Sequence, residues 1–442
     1  LFPSVVRNLG KGAPIRLYER IKTDQKRRIL FQLLFLKNKI HYFATALEDL
    51  EPNGNSRRIF LFEYIYLKLN DFRMMRIKCA FLCLLVGWFS SCHSGKRSEN
   101  VDGVDSLQCY VNPISTGFLG CHVLFHHGMY YCIQGWMSGI YLRAAEDATL
   151  LKEKEFKNVW SSADPSVGNI DDAELHYIDS KWYVYFTGND NNLDNRCIYV
   201  LENDSPDPLK GTFRLKGRID TDKENHVAMF STVFQQDGRL YLVWCGWPSR
   251  RVYEENQCIY IAEMENPWTL SSERVLISRP EYEWECQWVG IDGNRTAYPI
   301  YVNECPQVFR SLRQDKILLY YAASGRWTPY YCEGMLMADA SADLLDSASW
   351  KKCPVPVFSS NTTDKLYAPS IVCFIPSPDE TEYYYLYKVR KDLEDMFISL
   401  EKYEVCMQKV EWDKDGIPIL GCPQRQDTLL RKPSGTPHAN DD

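Results

Sequence analysis

An all-β chain folded as a five-bladed β-propeller is the architecture this sequence predicts, and three observations carry it. One theme, a tight polar turn followed by a strand of alternating aromatic and aliphatic residues, recurs five times over roughly 300 residues. Tyr, Phe and Trp together make up 14% of the chain, and such rings favour strands over helices. Helical periodicity is sparse: its best instance, Ala340-Ser341-Ala342-Asp343-Leu344-Leu345-Asp346, is short enough to be a surface turn.

The copies run in order along the chain. They are His127-Gly128-Met129-Tyr130-Tyr131-Cys132, Asp179-Ser180-Lys181-Trp182-Tyr183-Val184-Tyr185-Phe186 and Asp237-Gly238-Arg239-Leu240-Tyr241-Leu242-Val243-Trp244. Asp315-Lys316-Ile317-Leu318-Leu319-Tyr320-Tyr321 and Asp379-Glu380-Thr381-Glu382-Tyr383-Tyr384-Tyr385-Leu386-Tyr387 follow. Each reads as the middle hairpin of an antiparallel sheet. The last strand is expected at Val405 to Trp412, with Lys414-Asp415-Gly416 as the final turn, and the polar tail from Gln424 onward is expected to be disordered. Trp182 and Trp244 are expected to pack between sheets.

Composition is ordinary for a folded protein, with 45% hydrophobic and 25% charged residues among 442. The net charge of −7 gives no reason to expect a nucleic-acid partner. That charge is an average over unlike parts. Residues 1–73 hold 14 Lys and Arg against 7 Asp and Glu and no cysteine, so the remainder carries −14 and all 16 cysteines.

The break falls at Met74-Met75-Arg76-Ile77-Lys78, which leads into the apolar run Cys79 to Phe89 and then Ser90-Ser91-Cys92. A basic start, an apolar core of about 7–15 residues and small residues before a cleavage point define a secretory signal. Phe89-Ser90-Ser91-Cys92 resembles a bacterial lipobox. Residues 1–73 are therefore expected to be upstream mistranslation without an organised domain, and 74–92 a lipoprotein signal with Cys92 as the lipidated residue. Residues 93–108 form a tether, 109–423 the propeller and 424–442 the tail. The product is a monomer expected in the cell envelope, anchored to the membrane through its lipid. The 13 cysteines beyond Cys92 show no CxxC pair, so few disulfides and no metal–thiolate site are expected.

Several stretches resemble glycoside hydrolase family 43, and within it the arabinofuranosidase-like members. They are Glu174 to Tyr183, Tyr199 to Leu209, Ile277 to Glu285, Asn303 to Val308 and Met407 to Trp412, and the likeness spreads from about Asn112 to Cys422. The resemblance implies a five-bladed propeller, as the repeats do independently. It also implies three acids facing a central pocket: an Asp as general base, a second Asp that tunes the acid's pKa, and a Glu as general acid. In an inverting glycosidase one carboxylic acid protonates the leaving oxygen while a carboxylate about 6.5–9.5 Å away activates water on the opposite face.

Carried over by position, the acid is Glu304, in Asn303-Glu304-Cys305-Pro306, with Cys305 where glycine is usual. The base is missing, because its register falls on Gly120 and Cys121. Asp164-Pro165 looks like the lost motif but precedes the second hairpin, so by position it is a decoy. The tuning Asp is replaced by Phe230, in Met229-Phe230-Ser231. Ile371 stands where a histidine often serves a central cation, which argues against a bound calcium; no cofactor is expected.

One compensation is readable. Asp171-Asp172-Ala173-Glu174 replaces the family's Trp-Ala-Pro-Glu. In a regular strand Asp172 and Glu174 share one face and Asp171 takes the other. Asp171 or Asp172 is a candidate relocated base, and a solvated acidic loop is the competing reading. Asp292 is a weaker candidate. Glu174, Phe230, Trp284, Trp288 and Trp327 are candidate substrate contacts, although for any single tryptophan core packing comes ahead of substrate stacking. His122, His126 and His127 show no metal spacing and are expected at turns and the surface.

The function expected is hydrolysis of O-glycosidic bonds in arabinose- or xylose-containing plant polysaccharide. The alternative is a carbohydrate-binding lipoprotein that has lost catalysis on the same scaffold.

Overall fold

The computed structural model describes residues 108–437, apart from 118–119, 121, 250–255, 290–294 and 392–401. The expectations for residues 1–107, including the signal segment and Cys92, lie outside them, as do those for Cys121 and Asp292.

The described residues form five successive antiparallel meanders. The first comprises His122–His126, Met129–Trp136, Gly139–Ala145 and Lys157–Ser161. The second comprises Gly168–Ile178, Lys181–Asn189, Cys197–Asn203 and Arg214–Arg218. Ala228–Gln236, Arg239–Gly246 and Asn256–Asn266 make the third, with Val275–Ser278 on its edge. The fourth comprises Arg295–Arg310, Lys316–Ala323, Cys332–Asp339 and Lys351–Lys352. Tyr367–Pro376, Tyr383–Arg390 and Glu404–Lys409 make the fifth. A short parallel pairing, Asn256 with Tyr301 and Gln257 with Val302, joins the third and fourth into one ten-stranded sheet. All five expected hairpins are present at their turns. Turn chemistry is local: His127, Asp179, Ser180, Asp237 and Glu380 all adopt positive φ, which short polar side chains tolerate best.

Each meander is apolar on both faces of its middle strand, so it must be covered twice. Tyr131, Ile133 and Leu142 of the first pack on Leu175, Trp182 and Phe186 of the second. Equivalent clusters join the second to the third around Trp244, the third to the fourth, and the fourth to the fifth. A further cluster brings Val372, Leu386 and Met407 of the fifth against Val123 and Tyr130 of the first. The packing therefore runs in a ring. Trp182 and Trp244 are both wholly buried, as expected for rings packed between sheets.

The ring is fastened by the first and last of the described segments. Ser115–Thr116 adds a fourth strand to the fifth meander. Buried Asn112 grips the same sheet, donating from Nδ2 to the Met407 carbonyl at 2.8 Å and accepting from the Met407 amide at 2.9 Å. The tail contradicts the expectation of disorder through residue 437. Leu429–Arg431 pairs antiparallel with Cys109–Val111, Lys432 Nζ meets Asp147 at 2.8 Å, and Gln426 Nε2 donates to Glu404 at 2.7 Å. Polar composition suggested solvation, but each of these polar groups has a specific partner. Deleting the chain after Pro423 should cost roughly 2–4 kcal/mol at about 1 kcal/mol per hydrogen bond lost; urea denaturation reads it.

Candidate active site

The first strands of four meanders break their pairing in the same way, at the end away from the hairpin turn. Register shifts fall at Asp171/Glu174, Met229/Ser231, Glu304/Gln307 and Tyr367/Ser370. In each, one residue takes a left-handed backbone: Asp172 (φ 52°), Phe230 (51°), Cys305 (52°) and Ala368 (50°). A non-glycine residue there costs about 1–2 kcal/mol. Bulges re-aim side chains and cluster beside active sites. Three of the four carry the sequence-predicted positions Asp172, Phe230 and Glu304.

Glu304 is 8% exposed, and its Oε1 accepts a 2.7 Å hydrogen bond from the Tyr331 hydroxyl. Burial, and then the charge of Glu304, push the Tyr331 hydroxyl well above its usual range. Cys305 packs against Ala322, Tyr331 and Ala368. Arg326 lies among these groups. Burial works against its charge, yet Glu304, with Tyr403, Tyr331 and Asp171 behind it, holds its pKa above the ordinary value.

The segment Asp171–Glu174 departs from regular alternation. Two register shifts and the left-handed turn at Asp172 interrupt it, so the even-and-odd assignment of faces does not hold. Asp171 is exposed, and its Oδ1 accepts the Asp172 amide at 3.0 Å. Asp172 is more enclosed. Desolvation, then the charges of Glu174, Asp171 and Glu304, raise its pKa well above 3.8, partly opposed by Lys388. A carboxyl whose folded pKa exceeds its unfolded one loses stability as pH climbs from the unfolded value through the folded one. Asp172→Asn should therefore flatten the fall in stability from about pH 4 upward, as measured by urea midpoints across a pH series.

Glu174 is buried and belongs to a network. Its Oε2 lies 3.1 Å from His176 Nε2, and Oε1 accepts from Gln307 Nε2 at 2.5 Å. Burial alone would raise its carboxyl; the neighbouring histidines and the bond from Gln307 bring it below its ordinary value. His122 corrects the expectation of a surface residue. It is buried, and its ring stacks on His176 at 5.7 Å. A strand start that faces the next meander is covered even when its sequence is polar.

Glu333 was not singled out from the sequence. It is 2% exposed, its Oε1 accepts the Ile371 amide at 2.8 Å, and Ser370 bonds it as well. Desolvation, with the charge of Glu304 adding to it, raises its pKa well above 4.5. Glu304 pairs across to Ala322, and Ala322 to Glu333, so the two acids lie in one cross-strand row on either side of a methyl group. The signal available was a lone acid inside the apolar run from Tyr330 to Met337.

Behind Asn303 stands a second, wholly buried carboxylate. Glu285 Oε1 accepts from Asn303 Nδ2 (2.9 Å), the Tyr321 hydroxyl (2.8 Å) and Lys352 Nζ (2.9 Å). Its Oε2 accepts the amides of Glu281 (2.6 Å) and Tyr282 (2.9 Å). Asn303 Oδ1 also accepts from Ser278 at 2.7 Å. Gly334 makes room for Tyr321: a Cβ there would lie 2.3 Å from its ring.

The remaining candidate residues separate. Phe230 is half-buried, its amide donating to Thr187 Oγ1 at 3.0 Å, and it packs on the core between the third and fourth meanders. Trp284 is a packing residue rather than an open platform: it stacks on Tyr282 and Tyr321, and its indole N–H donates to the Pro354 carbonyl at 3.1 Å. Trp288 is 44% exposed, with the Arg295 guanidinium 5.6 Å from its ring centre. Trp327 flanks Gly325, next to Arg326. Asp164 caps a short 3-10 turn by accepting the Ser166 amide. Among the described residues no group of three His, Cys, Asp or Glu side chains is arranged to hold a metal, and the cysteines carry free thiols.

The family model described as glycosyl hydrolases family 43 matches residues 110–418. An extracellular exo-alpha-(1->5)-L-arabinofuranosidase of Streptomyces chartreusis is 38% identical over 219 residues, 49% of this chain and 62% of that protein. The enzyme of the same description from Streptomyces avermitilis is 33% identical over 323 residues, 71% of this chain and 63% of that protein. The chain thus spans less than two thirds of the length of these relatives. Among solved structures, an alpha-L-arabinofuranosidase from Lactobacillus brevis superposes with a TM-score of 0.64 at 29% identity, covering 72% of this chain and 98% of that one. A thermostable family-43 glycoside hydrolase shares the fold at 22% identity and a TM-score of 0.56, covering 75% of this chain and all of that one.

Proposed function

Because the chain belongs to glycosyl hydrolase family 43, we propose that it is a glycosidase that releases α-L-arabinofuranosyl units from arabinose-containing polysaccharide with inversion. On this reading the five meanders are the blades of a five-bladed propeller and the four bulges face its axial pocket. The observation that carries the proposal is Glu304: an enclosed carboxyl on a bulge, held by Tyr331, with Asp172 and Glu333 within electrostatic reach.

Burial and the neighbouring acids raise the carboxyls of Asp172 and Glu333 above their ordinary values, and carboxyls sharing one enclosed site oppose each other's ionisation. A general acid needs such surroundings. Glu304 gives its proton to the glycosidic oxygen as the bond from that oxygen to C1 breaks. Water adds to C1 from the opposite side and loses a proton to a carboxylate there.

Asp171 suits that second role better than Asp172. A base must be ionised and wetted; Asp171 is exposed and Arg326 stands near it, whereas Asp172 is enclosed by other acids. Arabinose release from a 1,5-linked arabino-oligosaccharide, with the first-formed anomer identified by NMR, tests the function. Asp171→Asn should reduce turnover by about 10²-fold or more, and Asp172→Asn much less. Equal losses would remove the assignment of the base. Binding of the oligosaccharide without any hydrolysis would overturn the catalytic reading itself.

Export with lipid attachment at Cys92 is part of the same proposal, resting on residues 74–92. Incorporation of labelled fatty acid, lost in Cys92→Ser, is the result expected; unchanged labelling would sink it.

A further inference from the structure

At the opposite ends of the same strands lies a cavity of about 310 Å³, lined by the ends of the third, fourth and fifth meanders. Arg310 stands six residues along its strand from Glu304, a separation of at most about 20 Å at roughly 3.3 Å per residue. The cavity is a separate place, beside the hairpin turns.

Its walls are aromatic on one side and polar on the other. Phe309, Tyr383 and Trp412 form one wall, with Phe309 and Trp412 stacked at 5.8 Å and Tyr383 set edgewise to both. Arg310, Gln235 and Gln314 supply donors and acceptors at the rim, where Leu312 is 53% exposed. The rim is fixed in place. Arg310 Nη2 donates to the Gln235 carbonyl at 2.8 Å, the Leu312 amide to the Gly416 carbonyl at 2.8 Å, and Arg313 Nη2 to the Lys414 carbonyl at 2.5 Å. Three turns from different meanders are thereby tied into one edge.

Arg310 is half-buried, yet among the described residues no carboxylate forms an ion pair with it. A guanidinium in that setting has N–H groups to spend on a ligand. Burial works against its charge, Asp237 is close enough to support it without pairing, and no other charged side chain lines the cavity. Flat apolar faces beside planar donors, in a preformed cavity without strong net charge, match a sugar ring: its C–H face lies on the aromatic wall and its hydroxyls meet the amides and the guanidinium. The volume suits one or two rings rather than a larger molecule.

We infer that this cavity is a secondary saccharide-binding site, which holds a neutral stretch of the same polysaccharide away from the reacting bond. The inference rests on the proposed substrate class but not on turnover, and the experiment separates the two.

Migration in native gels cast with soluble arabinan reads retention on the polymer directly. Wild type and Glu304→Gln should both be retarded. Leu312→Ala/Gln314→Ala, which alters two exposed rim residues, and Trp412→Ala should reduce retardation by about fivefold or more in apparent affinity. Circular dichroism melts establish that each variant folds. On polymeric arabinan the same variants should raise KM by a similar factor, with kcat/KM on an aryl α-L-arabinofuranoside unchanged. Retardation equal to wild type in both folded variants overturns the inference. If no aryl glycoside is hydrolysed by any form, the catalytic reading fails, while the gels still decide the cavity.

Discussion

Glu304→Gln should lower the rate of arabino-oligosaccharide hydrolysis on the order of 10³-fold, within the range a positioned general acid contributes. The informative comparison is between leaving groups. A sugar alkoxide cannot depart without a proton, whereas a nitrophenolate can. The same variant should therefore lose far less on the nitrophenyl glycoside, and the alkaline limb of its kcat profile should disappear. A residue that merely braced the pocket would weaken both substrates alike. Equal losses would strip Glu304 of the role of acid and leave it a positioning residue held by Tyr331.

Lys352→Met should have the largest effect on stability. Lys352 neutralises Glu285, which is 0% exposed and 2.9 Å away. Removing one member of a buried pair strands the other charge, at a cost of about 3–5 kcal/mol. Burial raises the Glu285 carboxyl, but the amides of Glu281 and Tyr282 and the Lys352 charge more than offset it, so its folded pKa lies below 4.5. Its contribution is present above that pH and lost as pH falls through the depressed value. Urea unfolding of Lys352→Met should show a loss near neutrality that shrinks in acid, where Glu285 protonates. Adding Glu285→Gln should recover much of the loss by removing the orphaned charge. Because Glu285 also holds Asn303, the residue before Glu304, activity should fall along with stability.

What the sequence made legible is what depends on few residues close together. Five turns announced five hairpins because polar turn residues and the strand that follows act locally. Glu304 stood out because a short motif surrounds it. Contacts set by tertiary approach were hidden. Glu333 reads as an ordinary acid until its strand is laid two places from that of Glu304. His122 and Glu285 look like surface residues until neighbouring meanders cover them. Alternation failed at Asp171–Glu174 because it assumes a regular pleat, and a bulge is an exception written in backbone angles. Trp284 was open to either reading, with packing ahead, because a loop tryptophan does not show in sequence what its ring rests on. The tail misled through composition, since polarity cannot distinguish solvation from pairing across about 300 residues.

That last pairing bears on how the protein is made. Asn112 emerges early from the ribosome, while its partner Met407 lies 295 residues later. At about 5–20 residues per second the interval is roughly 15–60 s. Throughout it the first meander offers Val123 and Tyr130 with no fifth meander to cover them. The strand Cys109–Val111 waits longer still, for Leu429–Arg431. Synthesis, rather than any single folding step, sets the earliest moment at which this molecule can close.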